Sequence, residues 1–230
     1  MARAITFALA FGLFEVGLAA PTISSRADIL PLTEQEITAR LVRGTTEVLA
    51  LGCDLSLRQG TGTVIGSDKV LTNQHVVGSY RRLDLSAADA PLLAPASVST
   101  SGRADLAAMS VSGLPSTALP IAPFDPLPKE QVWLAGYPQG ATSAESDGLV
   151  LYRANVIDYV DGKPMGQAGR VMRLDVSARP GMSGGPVLDQ AGRLAGIVFG
   201  VQSPTGDSVV LPISVVEAAL AAPLNAASLC

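Results

Sequence analysis

From residue 45 onward, short β-prone apolar runs alternate with glycine, proline and polar punctuation, a pattern that predicts many short strands joined by turns. A first set of runs lies at 46–51, 61–66, 69–72, 81–85, 92–99 and 106–111. Pro115, Pro120, Pro123, Pro126 and Pro128 follow. Proline cannot donate to a strand ladder, so 115–128 reads as a connector. A second set lies at 132–137, 149–160, 170–176, 185–189, 193–200 and 208–212, and the ISVVEAALAA stretch after it reads as a helix. Six strands, a linker, six strands and a C-terminal helix predict an all-β fold: two six-stranded antiparallel β-barrels, at 45–114 and 129–230, the helix belonging to the second. Ahead of them, 26–44 reads as a lead-in helix. Thr33 and Glu36 have capping-box spacing, and Ile37, Leu41 and Val42 fall near one face.

The N-terminus has a different pattern. Arg3 precedes ITFALAFGLF, an apolar run of signal-peptide length, and Gly17 and Ala19 suit the small positions of a cleavage site. Glu15 is awkward in a spanning helix, where a carboxylate near the bilayer centre costs about 2.5–3.5 kcal/mol. Residues 1–25 are therefore expected to be a signal peptide or membrane anchor, with an apolar helix packed on the domain as the alternative. The protein is expected to be exported, to the periplasm or beyond the cell. Composition supports a sizeable core: of 230 residues, 48% are hydrophobic and 16% charged. A net charge of −4 without any cluster of Lys or Arg argues against a nucleic-acid partner. One His and two Cys leave no metal-ligand cluster, and no metal or cofactor is expected.

The strongest chemical signal is Gly181-Met182-Ser183-Gly184-Gly185-Pro186. A serine hydroxyl is a poor nucleophile unless a base removes its proton. Glycines let the chain form a tight turn and let a substrate approach closely, and the N–H groups of Gly181 and Ser183 could then bind an oxyanion. Gly-Gly-Pro also suits an ordinary turn between strands, but VLDQAGRLAGIVFG follows it as a strand-turn-strand unit. The only imidazole is His75, in LTNQHVV at the end of a predicted strand. Imidazole titrates near neutrality, so it can take a serine proton and return it to a leaving amine. A carboxylate should hold that ring: Asp105, at the start of the apolar DLAAM run, fits best, with Asp84 and Asp89 competing by position.

TNQHVV, DLAAM and GMSGGP, in the order His, Asp, Ser, resemble the trypsin-like superfamily, and more closely the HtrA-type bacterial proteases. LAGYPQG and GRLAGIVFG are similar to the acid-resistance periplasmic serine proteases of actinobacteria. The resemblance spans roughly Thr45 to Leu220. It implies a chymotrypsin-like double β-barrel with its active site in the cleft between barrels, and proteolysis of protein or peptide substrates by a serine endopeptidase with His75, Asp105 and Ser183 as its triad. It also implies that Ser177, six before the serine, floors the specificity pocket, and that Phe199, Gly200 and Val201 pair with the substrate backbone, Ser208 or Val209 helping to wall the pocket. Without an acid at Ser177, small to medium uncharged side chains are the expected preference.

Three departures stand out. No PDZ module is expected after the terminal helix, and the N-terminal region holds at most one hydrophobic segment where the acid-resistance group has several. Met182 occupies the place of the aspartate that trypsin-type zymogens pair with a new N-terminus, so activation by that ion pair is not expected. Cys53 and Cys230 could pair, remain separate thiols, or pair between chains; the resemblance favours the bridge. Two other classes compete with this reading. A catalytically silent or latent homologue would bind peptides or unfolded chains in the cleft. An α/β-hydrolase would need the serine before the histidine, the reverse of the order here.

Overall fold

The computed structural model describes residues 30–87, 91–139, 148–162, 169–202 and 204–230. The expected leader at 1–25 lies outside them. Helix α1 (Glu34–Gly44) opens the described chain with the capping box in place: the Thr33 hydroxyl accepts from Glu36 N–H, and the Glu36 carboxylate accepts from Thr33 N–H. Ile37 and Leu41 are fully buried, whereas Val42 is 43% exposed and lies off the docking face.

The first sheet contains β1 (Thr45–Gly52), β2 (Leu57–Val64), β3 (Lys69–Thr72), β4 (Tyr80–Ser86), β5 (Ser97–Ser101) and β6 (Ala107–Ser110). Between β3 and β4 lies a one-turn helix, α2 (Gln74–Val77). The strand expected from residue 92 starts only at Ser97, because Pro91 and Pro95 have no N–H for a ladder. The second half supplies β7 (Gln131–Gly136), β8 (Val150–Gly162), β9 (Gly169–Leu174), β10 (Pro186–Leu188), β11 (Leu194–Val201) and β12 (Ser208–Pro212), then α3 (Ile213–Leu220). These six strands close into a barrel in the order β10-β11-β12-β9-β8-β7. All the ladders are antiparallel, as expected.

The first sheet departs from a plain six-stranded barrel. It has seven strands in the order β13-β5-β6-β3-β2-β1-β4, the seventh being β13 (Leu224–Ala226) from beyond α3. The residues after β13 reach the opposite edge: Tyr80 N–H donates to Ser228 C=O, and Cys230 N–H to Tyr80 C=O, each at 3.1 Å. One C-terminal segment thus touches both edge strands, β5 and β4. A Cys53–Cys230 disulfide fastens it to the turn after β1.

Each sheet encloses its own core. Val48, Val70, Leu85 and Met109 centre the first, and Leu134, Met172, Leu174 and Val210 the second. A third cluster joins them, in which Leu71 and Leu106 meet Trp133, Leu188 and Leu194 beneath Ile37 and Leu41 of α1 and Ile213 and Val216 of α3. The proline-rich connector is stitched to both halves: Leu119 N–H donates to Val64 C=O, and Leu194 N–H to Pro120 C=O.

Candidate active site

Antiparallel pairing of β3 with β6 sets Thr72 opposite Ala107. The residues just after Thr72 and just before Ala107 therefore emerge side by side, which brings His75 to Asp105. Asp105 is buried at 3% exposure, and its carboxylate grips His75 at two points. Oδ1 accepts the backbone N–H of His75 at 2.8 Å, and Oδ2 faces the ring at Nδ1. An ionised carboxylate only accepts, so this contact favours a proton on Nδ1 and leaves Nε2 as the ring's acceptor. The His75 side chain is 49% exposed. Buried Asn73 donates from Nδ2 to Asp105 C=O at 2.7 Å, fixing the backbone beneath the acid.

The turn from Pro180 to Gly185 is held through every carbonyl. Those of Pro180, Met182, Ser183 and Gly185 accept from the N–H groups of Gln139 (2.7 Å), Gly185 (3.0 Å), Thr61 (2.8 Å) and Val198 (2.8 Å). Those of Gly181 and Gly184 accept the hydroxyls of Thr61 and Thr63, each at 2.8 Å. The N–H groups of Met182, Gly184 and Gly185 donate to Arg179, Val198 and Met182. Among the described residues, the N–H groups of Gly181 and Ser183 have no acceptor. In a trans peptide the C=O and the next N–H point opposite ways, so pinning the carbonyls of Pro180 and Met182 aims these two N–H groups. Two backbone N–H groups left open in one tight turn form a ready site for a negative oxygen.

Glycine is required at two points of this turn. Gly181 has φ +95° and Gly184 φ +91°. A Cβ on Gly181 would run into Tyr137 C=O and Gln139 N, and one on Gly184 into Thr61 C=O and the Thr72 hydroxyl. Met182 sends its side chain, fully buried, into the second core, so an apolar plug anchors the turn from beneath.

Ser183 and His75 meet through Phe199. The Ser183 hydroxyl donates to Phe199 C=O at 3.2 Å, while the Phe199 ring packs edge-on against His75 with centroids 6.0 Å apart. No hydrogen bond joins Ser183 Oγ to the His75 ring among the described residues. Phe199, Gly200 and Val201 lie on β11, where β12 takes one edge through Gly200–Val209 and Val201–Ser208 pairing.

Ser177 is exposed. Ser208 and Val209 open β12. Both are buried, and the Ser208 hydroxyl donates to Val176 C=O and accepts from Ala178 N–H, tying that strip to β12. Arg173 bridges Asp158 and Asp207 nearby, holding the Asp158 carboxyl below the usual carboxylate range. Asp84 is occupied by Arg82 at 2.6 Å, away from His75, and Asp89 falls outside the described residues. The threonines of the TGT run, Asn73 and Gln139 are site-building residues that sequence reasoning did not single out. Their only signal was adjacency to the glycine-rich and His75 motifs. No helix among the described residues is long and apolar enough to cross a membrane, and none of their His, Cys, Asp and Glu side chains group as metal ligands.

Comparison with known proteins gives this geometry a family. The serine protease Rv3671c of Mycobacterium tuberculosis is 35% identical over 146 residues, 62% of this chain and 36% of that protein. A probable periplasmic serine endoprotease, DegP-like, of Pseudomonas putida is 30% identical over 165 residues, 68% of this chain and 33% of the relative. The chain thus spans about a third of the length of these curated relatives. The crystal structure of the Rv3671c protease in its inactive form matches with a TM-score of 0.68 at 26% identity, covering 80% of this chain and 91% of that one. The active form matches in fold, with a TM-score of 0.69 at 24% identity and coverages of 88% and 93%. A model of the trypsin-like peptidase domain matches residues 60–197, a span that holds His75, Asp105 and Ser183. The chain belongs to the trypsin-like peptidase family.

Proposed function

We propose that this chain is a serine endopeptidase with Ser183 as nucleophile, His75 as general base and acid, and Asp105 as the carboxylate that orients the imidazole. The observation that carries this reading is the pair of N–H groups on Gly181 and Ser183, left open in a turn whose other backbone groups are all engaged. Ser183 Oγ attacks a peptide carbonyl and passes its proton to His75 Nε2. The carbonyl oxygen becomes an oxyanion between the two N–H groups, where each donor is worth about 2.7–4 kcal/mol of barrier. His75 then protonates the leaving amine, and water hydrolyses the acyl-enzyme by the same route. Asp105 stays ionised, and no cofactor takes part.

An extended substrate would add along the edge of Phe199, Gly200 and Val201 that β12 leaves unused. Ser177 is uncharged and the Asp207 carboxylate is held by Arg173, which supports preference for uncharged side chains at the cleavage site. Buried Met182 supports a turn that forms without an N-terminal ion pair. The apolar run after Arg3, with the periplasmic designation of the DegP-like relative, supports export, with residues 1–25 as signal peptide or anchor.

One observation favours a second reading, a latent or silent homologue that holds peptides in the cleft: the Ser183 hydroxyl rests on Phe199 C=O. One staggered step about χ1 frees it, and catalytic hydrogen bonds often form only when substrate arrives. Labelling of the full chain with a fluorophosphonate probe separates the two. Labelling that is lost in both Ser183→Ala and His75→Ala supports the endopeptidase; a folded wild type that stays unlabelled supports latency.

A further inference from the structure

Thr61 sits in the first sheet, yet every polar atom it has is committed to the candidate site. Its N–H donates to Ser183 C=O at 2.8 Å. Its hydroxyl donates to Gly181 C=O and accepts from Tyr137 N–H, both at 2.8 Å. Its own C=O accepts the Thr72 hydroxyl at 2.7 Å, and Thr72 is the last residue of the strand that leads to His75. The side chain is fully buried, so water does not stand in for any of these partners. Thr61 therefore holds the carbonyls of the same two residues, Gly181 and Ser183, whose N–H groups are open.

We infer that Thr61 is a positioning residue for the oxyanion-binding turn, its hydroxyl fixing the Gly181–Met182 peptide from the opposite half of the molecule. This rests on the endopeptidase reading and deepens it. Without the hydroxyl, Gly181 C=O loses its partner at a buried position, and the turn must rotate to satisfy it. That peptide lies between the two that carry the open N–H groups, so its rotation changes the turn angles at Gly181 and Met182 and alters how the Gly181 and Ser183 N–H groups are set relative to each other. The methyl group of Thr61 has no part in this, so serine should serve in its place and valine, of the same shape, should not.

The test compares wild type, Thr61→Val and Thr61→Ser by the saturation kinetics of fluorophosphonate labelling, with melting temperatures alongside. Thr61→Val is expected to lower the maximal labelling rate about 10- to 100-fold, leaving half-saturation within about threefold, and Thr61→Ser to label within about threefold of wild type. Valine labelling at the wild-type rate would overturn the inference while leaving the protease reading intact. Serine labelling as slowly as valine, at equal melting temperature, would overturn it too, since packing and not the hydroxyl would then be at work. If Thr61→Val does not fold, Thr61→Ala carries the same expectation. If wild type itself is unlabelled, the protease reading fails and amide hydrogen exchange decides the inference: Thr61→Val should speed exchange at Met182 and Gly184 about tenfold or more without changing β8 and β9. Unchanged protection there would refute it.

Discussion

Replacing Asp105 with asparagine removes one acceptor and almost no volume, and the site geometry dictates the outcome. Asp105 accepts two hydrogen bonds from His75, one from the backbone N–H on Oδ1 and one at Nδ1 on Oδ2. An asparagine has one oxygen and one NH2 with which to meet two donors. If the oxygen keeps the backbone N–H, the NH2 faces Nδ1. The ring must then accept there and carry its proton on Nε2, where it cannot take one from Ser183. If the amide flips, two donors oppose each other at a buried site, at a cost of about 1–3 kcal/mol. The first arrangement is the cheaper, so the folded variant is held in the wrong tautomer. Asp105→Asn should therefore lower the maximal fluorophosphonate labelling rate by about 10⁴, the size of this tautomer effect in the chymotrypsin-type triad, while the melting temperature moves by only a few degrees. A folded Asp105→Asn that labels within tenfold of wild type would refute the assignment of His75 as base under Asp105.

Three further outcomes are expected. Cys53 and Cys230 lie 177 positions apart, a loop whose closure entropy alone is about 5 kcal/mol; the Cys53→Ser/Cys230→Ser pair should lose about 2–5 kcal/mol in urea unfolding, and a loss under about 0.5 kcal/mol would show that the tail's hydrogen bonds suffice. Burial raises the carboxyl of Glu47 above its usual range, with the amide of Gln59 only partly offsetting it. An acid whose folded pKa exceeds its unfolded one weighs against the fold once ionised, so Glu47→Gln, which keeps an oxygen for Gln59, should melt higher than wild type at pH 7, the gain fading as pH falls and wild-type Glu47 protonates; a lower melting temperature at pH 7 would contradict this. Gly184→Ala combines a positive φ with collision against Thr61 C=O, and should cost about 2–4 kcal/mol in the same urea assay; a loss below about 1 kcal/mol would mean that the turn shifts freely.

Strands were legible where turn-forming residues bounded a β-prone run, as at Lys69–Thr72, between Gly66-Ser67-Asp68 and Asn73, and at Ser208–Pro212, because local chemistry sets their ends. β13 was not legible: Leu224–Ala226 has neither length nor alternation, and it is a strand only because β5 offers it an edge. Periodicity puts Val42 near the buried face of α1, but the helix buries Ile37, Leu41 and Gly44 and leaves Val42 exposed. At the site, Ser183, His75 and Asp105 stood out because each lies in a short motif of unusual composition. Thr61 and Thr63 did not, since alternating threonines are common on strands and their partners lie more than a hundred residues away. The clasp of the Ser208 hydroxyl on Val176 and Ala178 was hidden for the same reason, its partners lying 32 and 30 positions away in a segment outside any strand.

The C-terminal segment that touches both edges of the first sheet also sets an order of events in folding. Strands β1 to β6 are complete in sequence by Ser110, yet their sheet lacks its last strand and its clasp on Tyr80 until Cys230 has been made. Contacts so distant along the chain form slowly, because a long loop must close before they give any return. Until then β5 keeps a bare edge, and Tyr80, just beyond the helix that carries His75, has both backbone groups unpaired. The half of the molecule that bears the imidazole is thus synthesised before the other and is among the last parts to be secured, its geometry maturing only once the segment through Cys230 is in place.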